Sequence, residues 1–124
     1  MENKKKILIV EDEESLAGAL TLKLDDNFEV LAAKNGEDGL AVALKAHPDL
    51  ILLDIVMPKM DGIEMLKKLR ADEWGKKVEV IVLTILRDNE KVAEVLDNEA
   101  FEYLVKTDTK LEDVVTKIKT KLKV

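Results

Sequence analysis

Short apolar runs alternate along the chain with longer segments in which apolar residues recur every three or four positions. A run of about four to eight apolar residues is typical of a buried β-strand, whereas the longer recurrence is typical of a helix with one buried face. The sequence predicts strands over residues 6–10, 28–33, 50–53, 78–83 and 101–105. One helical segment follows each strand, so the chain is predicted to consist of five strand–helix units.

The helical segments carry both apolar stripes and start signals. Asn35, Asp61 and Thr109 each stand three positions before an acid, the spacing of a capped helix start, and Asp88 is a candidate cap for the fourth helix. The stripes of the five helices are formed by Leu16, Leu20 and Leu24; Leu40, Ala43 and Leu44; Ile63, Leu66 and Leu69; Val92, Val95 and Leu96; and Leu111, Val114, Val115, Ile118 and Leu122. The caps and the stripes therefore divide the chain in the same way.

This alternation predicts an α/β fold with a doubly wound, five-stranded parallel sheet, because parallel strands need crossover connections. The first, third and fourth runs are almost wholly apolar and suit central strands that are covered on both faces. The second and fifth runs are more polar and suit the edges. We therefore predict the strand order 2-1-3-4-5 in a single domain over residues 1–124, with a binding site at the carboxyl ends of the central strands.

The composition excludes several classes of function. The chain has no cysteine and one histidine, so we expect neither a disulfide framework nor a zinc site built from thiolates. Its net charge of −6 argues against broad nucleic-acid binding, which depends on basic surface. No apolar run approaches the roughly 20 residues of a membrane span, and the apolar run near the N-terminus is too short for a signal peptide. We expect a cytoplasmic protein that binds neither nucleic acid nor membrane.

Polar residues with complementary chemistry stand at the ends of the predicted strands. Glu11 and Asp12 follow strand one, Asp54 follows strand three, and Thr84 and Lys106 follow strands four and five. Clustered carboxylates repel one another unless a cation joins them, and oxygen ligands of this kind suit Mg²⁺. A lysine and a hydroxyl beside them can bind phosphoryl oxygens. The pattern therefore predicts a magnesium site in which Asp54 is the nucleophile that forms an aspartyl phosphate.

Four segments resemble the receiver domain of bacterial two-component response regulators, of which the chemotaxis regulators are one type. ILIVEDE is similar to the family's first strand and acidic pair, and LILLDIVMPKMDG is similar to its phosphoacceptor segment. VIVLT and FEYLVK are similar to its fourth and fifth strands, and the spacings from Asp54 to Thr84, Tyr103 and Lys106 also match. The resemblance covers essentially the whole chain and implies the flavodoxin-like receiver fold.

The resemblance implies a phosphoacceptor and a set of metal ligands. Asp54 would accept the phosphoryl group from a sensor histidine kinase or a phosphotransfer protein. Asp12 and Asp54 would bind Mg²⁺ directly, and Glu11 would hold it through water. The backbone carbonyl of Val56 would supply a further ligand.

The resemblance also implies a switch. Lys106 would pair with the phosphoryl oxygens, Thr84 would bond to one of them, and Tyr103 would turn inward as Thr84 moves. The fourth helix, the fifth strand and the fifth helix would then present a changed surface to an unidentified downstream protein or to a second copy in a homodimer. We therefore predict a stand-alone response regulator that is not a conventional enzyme and catalyses only its own phosphotransfer and dephosphorylation.

The chain departs from the family's usual pattern at four positions. Thr107 follows Lys106 where the family usually has a proline and a cis bond; a cis bond without proline costs about 2.5–4 kcal/mol, so we predict a trans bond. Ile85 stands where the family tends to have a small residue. Val56 and Leu86 are apolar where the family's residues flank the path of the hydrolytic water. We therefore expect the phosphoryl group to be long-lived.

Three other interpretations use the same residues differently. A pseudo-receiver, which is a protein-interaction module that is never phosphorylated, stays open because of Ile85 and Thr107. A haloacid-dehalogenase-like phosphatase also uses a strand-end aspartate, but it has a second acid two residues later, where this chain has Val56. A flavodoxin needs a phosphate loop rich in Ser, Thr and Gly after strand one, where this chain has Glu-Asp-Glu-Glu.

Overall fold

Within the residues that the structure describes, 4–85, 89–100 and 102–124, five parallel strands form one sheet with helices on both faces. The elements of this computed structural model are β1 (Lys5–Val10), α1 (Glu14–Leu24), β2 (Phe28–Ala33), α2 (Gly36–Ala46), β3 (Leu50–Leu53), α3 (Gly62–Ala71), β4 (Glu79–Thr84), α4 (Asn89–Asp97), β5 (Glu102–Val105), a 3-10 turn (Lys106–Asp108) and α5 (Leu111–Leu122). The strand order β2-β1-β3-β4-β5 confirms the predicted doubly wound α/β fold.

The burial of each strand follows its place in the sheet. β3 is buried at every position, and β1 and β4 are buried along most of their length. Helices cover both faces of these central strands, which is why their sequences are apolar without alternation. β2 and β5 are only partly buried and lie at the edges, as their polar residues predicted.

Two apolar cores lie on opposite faces of the sheet. One contains residues of α2, α3 and α4, including Leu66 and Val95. The other contains residues of α1 and α5, including Leu20 and Ile118. Burying a side chain of this size contributes about 1.5–3 kcal/mol, so both helical layers stabilise the central sheet.

No helix in the described part of the chain combines the length and the apolar character that crossing a membrane requires.

Two predicted helix starts are confirmed and one is wrong. Asn35 and Asp61 each accept a hydrogen bond from the backbone N–H three residues later, at 2.8 and 2.9 Å. Thr109 does not cap α5, which begins at Leu111 with Lys110 as the preceding residue. The 3-10 turn ends at Asp108, two extended residues follow it, and α5 therefore begins one residue later than the capping spacing predicts.

The remaining boundaries follow the hydrogen-bonded ladders more closely than the apolar runs. β1 and β4 begin one residue away from their predicted starts, because ladder pairing rather than apolarity sets where a strand begins. The predicted cap Asp88 and the predicted strand residue Phe101 lie outside the described residues. The bond between Lys106 and Thr107 is trans, as predicted, since the described part of the chain contains no cis peptide bond.

An aromatic contact lies at the end of the sheet where the strands begin, which we call the amino edge. His47 ends α2 in the left-handed conformation, with φ 51°. Its ring stacks on Trp74 with centroids 4.3 Å apart and planes 5° from parallel. Since β3 and β4 begin beside these two residues, the contact lies at the edge opposite the carboxyl ends of the strands.

Arg70, in the last turn of α3, joins two loops through its guanidinium group. It donates hydrogen bonds to the carbonyls of Gly75 and Val78, before β4, at 2.7 and 2.8 Å. It also donates to the carbonyls of Asn98 and Glu99, after α4, at 3.0 and 2.9 Å. The side chain therefore fastens the end of α4 to α3 and to the start of β4.

We expect the substitution Arg70→Met to lower the free energy of unfolding by about 2–3 kcal/mol, because it leaves partly buried carbonyls without a donor. Urea denaturation measures this change. The control is Lys68→Met in the same helix, where the exposed position predicts a change within about 0.5 kcal/mol. Similar losses in both variants would contradict a specific role for the guanidinium group.

Gly62 lets α3 begin directly against the end of β3. A Cβ atom at this position would lie 2.3 Å from the carbonyl oxygen of Asp54 and 2.7 Å from the Cα of Ile55. Both atoms belong to the backbone and cannot move aside as a flexible side chain can. The N–H of Gly62 also donates to the carbonyl of Ile55 at 2.9 Å. The close approach of these two segments therefore requires glycine.

We expect Gly62→Ala to lower the free energy of unfolding by about 1–3 kcal/mol, the usual cost of forcing atoms into a packed region. The control is Gly18→Ala in α1, where nothing lies within 4 Å of the added Cβ. That change should stabilise the helix by about 0.5–1 kcal/mol. Urea denaturation of both variants checks the two signs, and a neutral Gly62→Ala would show that the two segments can separate without cost.

Candidate functional site

Asp54 directly follows β3 and is almost completely buried, with 4% of its surface exposed. Its backbone N–H donates to the carbonyl of Val10 at 3.0 Å, which extends the pairing of β1 and β3 beyond Leu53. Its Oδ1 accepts a hydrogen bond from the N–H of Val56 at 3.3 Å. The carboxylate is therefore fixed where the central strand β3 ends. We call this end of the sheet, at the C-terminal ends of its strands, the carboxyl edge.

Two more carboxylates follow β1, the strand beside β3. The N–H of Glu11 donates to the carbonyl of Ala33 at 3.0 Å, and its side chain is buried, whereas Asp12 is exposed. One carboxylate oxygen from each of Glu11, Asp12 and Asp54 lies within 4.8 Å of the other two. Three oxygen donors at this separation are ligands of the kind that Mg²⁺ prefers.

Lys106 neutralises part of this negative charge. It is the first residue of the 3-10 turn after β5, and its side chain is 15% exposed. Its Nζ lies 2.9 Å from Oε1 of Glu11 and 3.2 Å from Oδ2 of Asp54. An ammonium group between two buried carboxylates offsets their mutual repulsion and part of the cost of removing them from water. The structure thus brings together Glu11, Asp12, Asp54 and Lys106.

These surroundings change the proton affinities of two groups. Burial raises the pKa of Glu11, and the charge of Asp54 adds to the rise, which hydrogen bonds from Lys106 and from the N–H of Glu13 only partly oppose. Burial by itself lowers the pKa of Lys106, but its contacts with Glu11 and Asp54 outweigh this effect and raise the pKa overall. Lys106 is therefore a cation at neutral pH, ready to bind an anion.

The two predicted switch residues lie on β4 and β5, the two strands beyond β3 in the sheet order. Thr84 is the last residue of β4, the neighbour of β3, and is fully buried. Tyr103 lies in β5 and is half-buried against the core beneath α2, α3 and α4. Both residues therefore lie on the strands between β3 and the outer edge of the sheet at β5.

Large apolar side chains are exposed in the loops after β3 and β4. Val56 has 48% of its surface exposed and Ile85 has 59%. Leu86, the other apolar residue predicted to flank the path of water, lies outside the described residues. The loops that follow Asp54 and Thr84 therefore expose apolar side chains to solvent.

The sequence pattern does not predict Glu13 as a site residue, yet the structure places it there. Its Oε1 lies 3.8 Å from Nζ of Lys106, and its side chain is 59% exposed. Its backbone N–H donates to Oε2 of Glu11 at 3.1 Å. The sequence gives one indication of this position. Four consecutive acids follow β1, from Glu11 to Glu14, and only the first two match the family's acidic pair.

Comparison with known proteins agrees with this arrangement. The family described as the response regulator receiver domain matches residues 7–119. The nitrate/nitrite response regulator protein homolog of Haemophilus influenzae is 34% identical over 122 residues, which are 96% of this chain and 57% of that protein. The chain therefore spans about half the length of this relative.

Two solved structures have the same fold. The chemotaxis protein CheY4 of Vibrio cholerae is 31% identical, with a TM-score of 0.86 over 95% of this chain and 98% of that one. A CheY-like response regulator receiver domain protein from Methanospirillum hungatei is 30% identical, with a TM-score of 0.90 over 98% of this chain and 95% of that one. The matched residues, the strand order and these two folds agree, and the chain belongs to the receiver domain family of two-component response regulators.

Proposed function

We propose that this signalling domain accepts a phosphoryl group on Asp54 from the phosphohistidine of a sensor histidine kinase or a phosphotransfer protein. The observation that carries the proposal is the pairing of a carboxylate that is 4% exposed with an ammonium group 3.2 Å away, beside two more acids. Such a cluster costs folding free energy. The cost is consistent with a site that is kept for chemistry on Asp54.

The transfer exchanges one bond to phosphorus for another. An oxygen of Asp54 attacks phosphorus as the nitrogen–phosphorus bond of the donor breaks, and the imidazole leaves as a neutral ring when its other nitrogen carries a proton. Lys106 binds the phosphoryl oxygens with the ammonium group that holds Asp54 and Glu11 in the resting site. The hydroxyl of Thr84, at the end of the next strand, donates to another phosphoryl oxygen.

The acidic cluster fits Mg²⁺, because its side-chain donors are all oxygen and its three carboxylates outnumber the single ammonium group between them. Asp12, Asp54 and the carbonyl of Val56 would hold the ion directly, and Glu11 would hold it through water. When bound, the ion offsets the negative charge of the carboxylates and of the phosphoryl oxygens. The receiver family supports this assignment.

Phosphorylation would be signalled through the surface formed by α4, β5 and α5. The new dianion draws Lys106 and Thr84 towards it, and movement of Thr84 makes room for Tyr103, which is half-buried at present. Occupancy of Asp54 thereby biases an existing equilibrium between two arrangements of that surface. A downstream protein, or a second copy of the chain in a homodimer, would recognise the phosphorylated arrangement.

We expect Asp54→Asn to abolish phosphorylation by acetyl phosphate in the presence of Mg²⁺, because the amide is not a nucleophile for phosphorus. Intact-mass spectrometry measures the phosphorylated fraction. The control is Asp49→Asn, an exposed aspartate at the amino edge whose Oδ2 accepts the N–H of Lys6 at 2.7 Å. That variant should be phosphorylated like the wild type.

The same experiment separates the proposal from a pseudo-receiver. A wild-type chain that gains no phosphoryl group from acetyl phosphate or from phosphoramidate, and that shows no uptake of Mg²⁺ by calorimetry, would be a protein-interaction module instead. Phosphorylation of Asp54→Asn to the wild-type extent would place the acceptor elsewhere.

We expect Val56→Asn to shorten the lifetime of the aspartyl phosphate several-fold, because an amide at this exposed position can orient the hydrolytic water and a valine side chain cannot. The decay is followed at fixed Mg²⁺ after removal of the donor. The control is Val56→Leu, which keeps the position apolar and should leave the lifetime close to that of the wild type. Equal lifetimes in all three proteins would show that this side chain does not control access of water.

A further inference from the structure

Glu13 is the exposed member of the three acids that surround Lys106. In the described part of the chain, the Nζ of Lys106 lies within 4 Å of Glu11, Asp54 and Glu13. The side chains of Glu11 and Asp54 are each 4% exposed, whereas that of Glu13 is 59% exposed. Glu13 therefore faces the solvent from which a phosphodonor arrives.

The carboxylate of Glu13 is held at this position by its neighbours. The backbone N–H of Glu13 donates to Oε2 of Glu11 at 3.1 Å, and the hydroxyl of Ser15 donates to Oε2 of Glu13 at 3.4 Å. Glu13 is also the residue that precedes α1, and its own side chain makes no cap hydrogen bond to that helix. Its carboxylate thus lies within ion-pair distance of Lys106 and does not cap the helix.

This charge acts on any donor that reaches Asp54. In the proposed transfer, Lys106 must bind the phosphoryl oxygens of the donor, and Glu13 competes for the same ammonium group. Glu13 also repels the donor itself, and this repulsion grows with the donor's net negative charge. At neutral pH acetyl phosphate is a dianion, whereas phosphoramidate is a net monoanion because its nitrogen is protonated.

We propose that Glu13 is a specificity-determining residue that makes the receiver select against phosphodonors of high negative charge. This inference rests on the proposed phosphorylation of Asp54. Its consequence is a preference for phosphorus–nitrogen donors, whose nitrogen can carry a positive charge, over dianionic acyl phosphates.

The two donors transfer the same group with different leaving groups. With phosphoramidate, the nitrogen–phosphorus bond breaks and ammonia leaves as an oxygen of Asp54 bonds to phosphorus. With acetyl phosphate, the oxygen–phosphorus bond breaks and acetate leaves. The product on Asp54 is identical, so a change in the ratio of the two rates reports on the approach of the donor and not on the acyl phosphate that is formed.

The test compares the phosphorylation rates of the wild type, Glu13→Gln and Glu13→Lys with each donor at saturating Mg²⁺ and low salt. A carboxylate in water at about 7 Å changes the rate by about two- to threefold for each unit of donor charge. In Glu13→Gln the preference for phosphoramidate over acetyl phosphate should therefore fall about two- to threefold. Charge reversal in Glu13→Lys should lower it further, and about 1 M salt should remove most of the difference.

The matched control is Glu14→Gln, which removes the same charge one residue later. Glu14 is paired with Lys34 at 2.7 Å, and its side chain is 76% exposed. Its substitution should leave the donor preference unchanged. An equal shift in both variants, or no shift in Glu13→Gln and Glu13→Lys while the wild type is phosphorylated, would overturn the role of Glu13. A wild type that neither donor phosphorylates would instead overturn the proposed function, and this inference with it.

Discussion

The ammonium group of Lys106 lies between the buried carboxylates of Glu11 and Asp54, and the carboxyl edge of the sheet depends on this contact. β1, β3 and β5 each deliver one of the three charges, so the pairing of the strands determines whether the charges meet. Two buried carboxylates without a cation would repel each other in surroundings that screen charge poorly. The same ammonium group that offsets the repulsion between the carboxylates is also the one that we propose to bind phosphoryl oxygens, so one side chain would serve both stability and chemistry.

Much of this fold follows from the order of apolar and polar residues. β3 is apolar at every position and must be covered on both faces, whereas Glu29 in β2 and Glu102 in β5 suit only an edge. This contrast separates the edge strands from the central ones, because central and edge positions bury different amounts of surface. The order 2-1-3-4-5 then follows from the common topology of doubly wound sheets. Thr109 shows where such reasoning fails: its spacing fits a helix cap, but the 3-10 turn displaces the start of α5, and a turn of this kind has no periodic signal.

The site, like the fold, can be predicted from the sequence only in part. Positions at strand ends can be assigned from sequence because parallel strands end at one edge, and Glu11, Asp12, Asp54 and Lys106 meet there. The conformation of the loops cannot be assigned in this way. Glu13 comes within 3.8 Å of Lys106 in a local turn in which its N–H donates to Glu11, and the run of acids does not specify this turn.

The stacked pair of His47 and Trp74 has a practical consequence for spectroscopy. Trp74 is the single tryptophan of the chain, and it sits at the amino edge, across the length of the sheet from Asp54. Indole emission responds to the immediate surroundings of the ring, here an imidazole 4.3 Å away. Intrinsic fluorescence will therefore report global unfolding and the integrity of this stacked pair. Ligands at the opposite end of the strands will hardly change it, so their detection needs a label on α4 or α5.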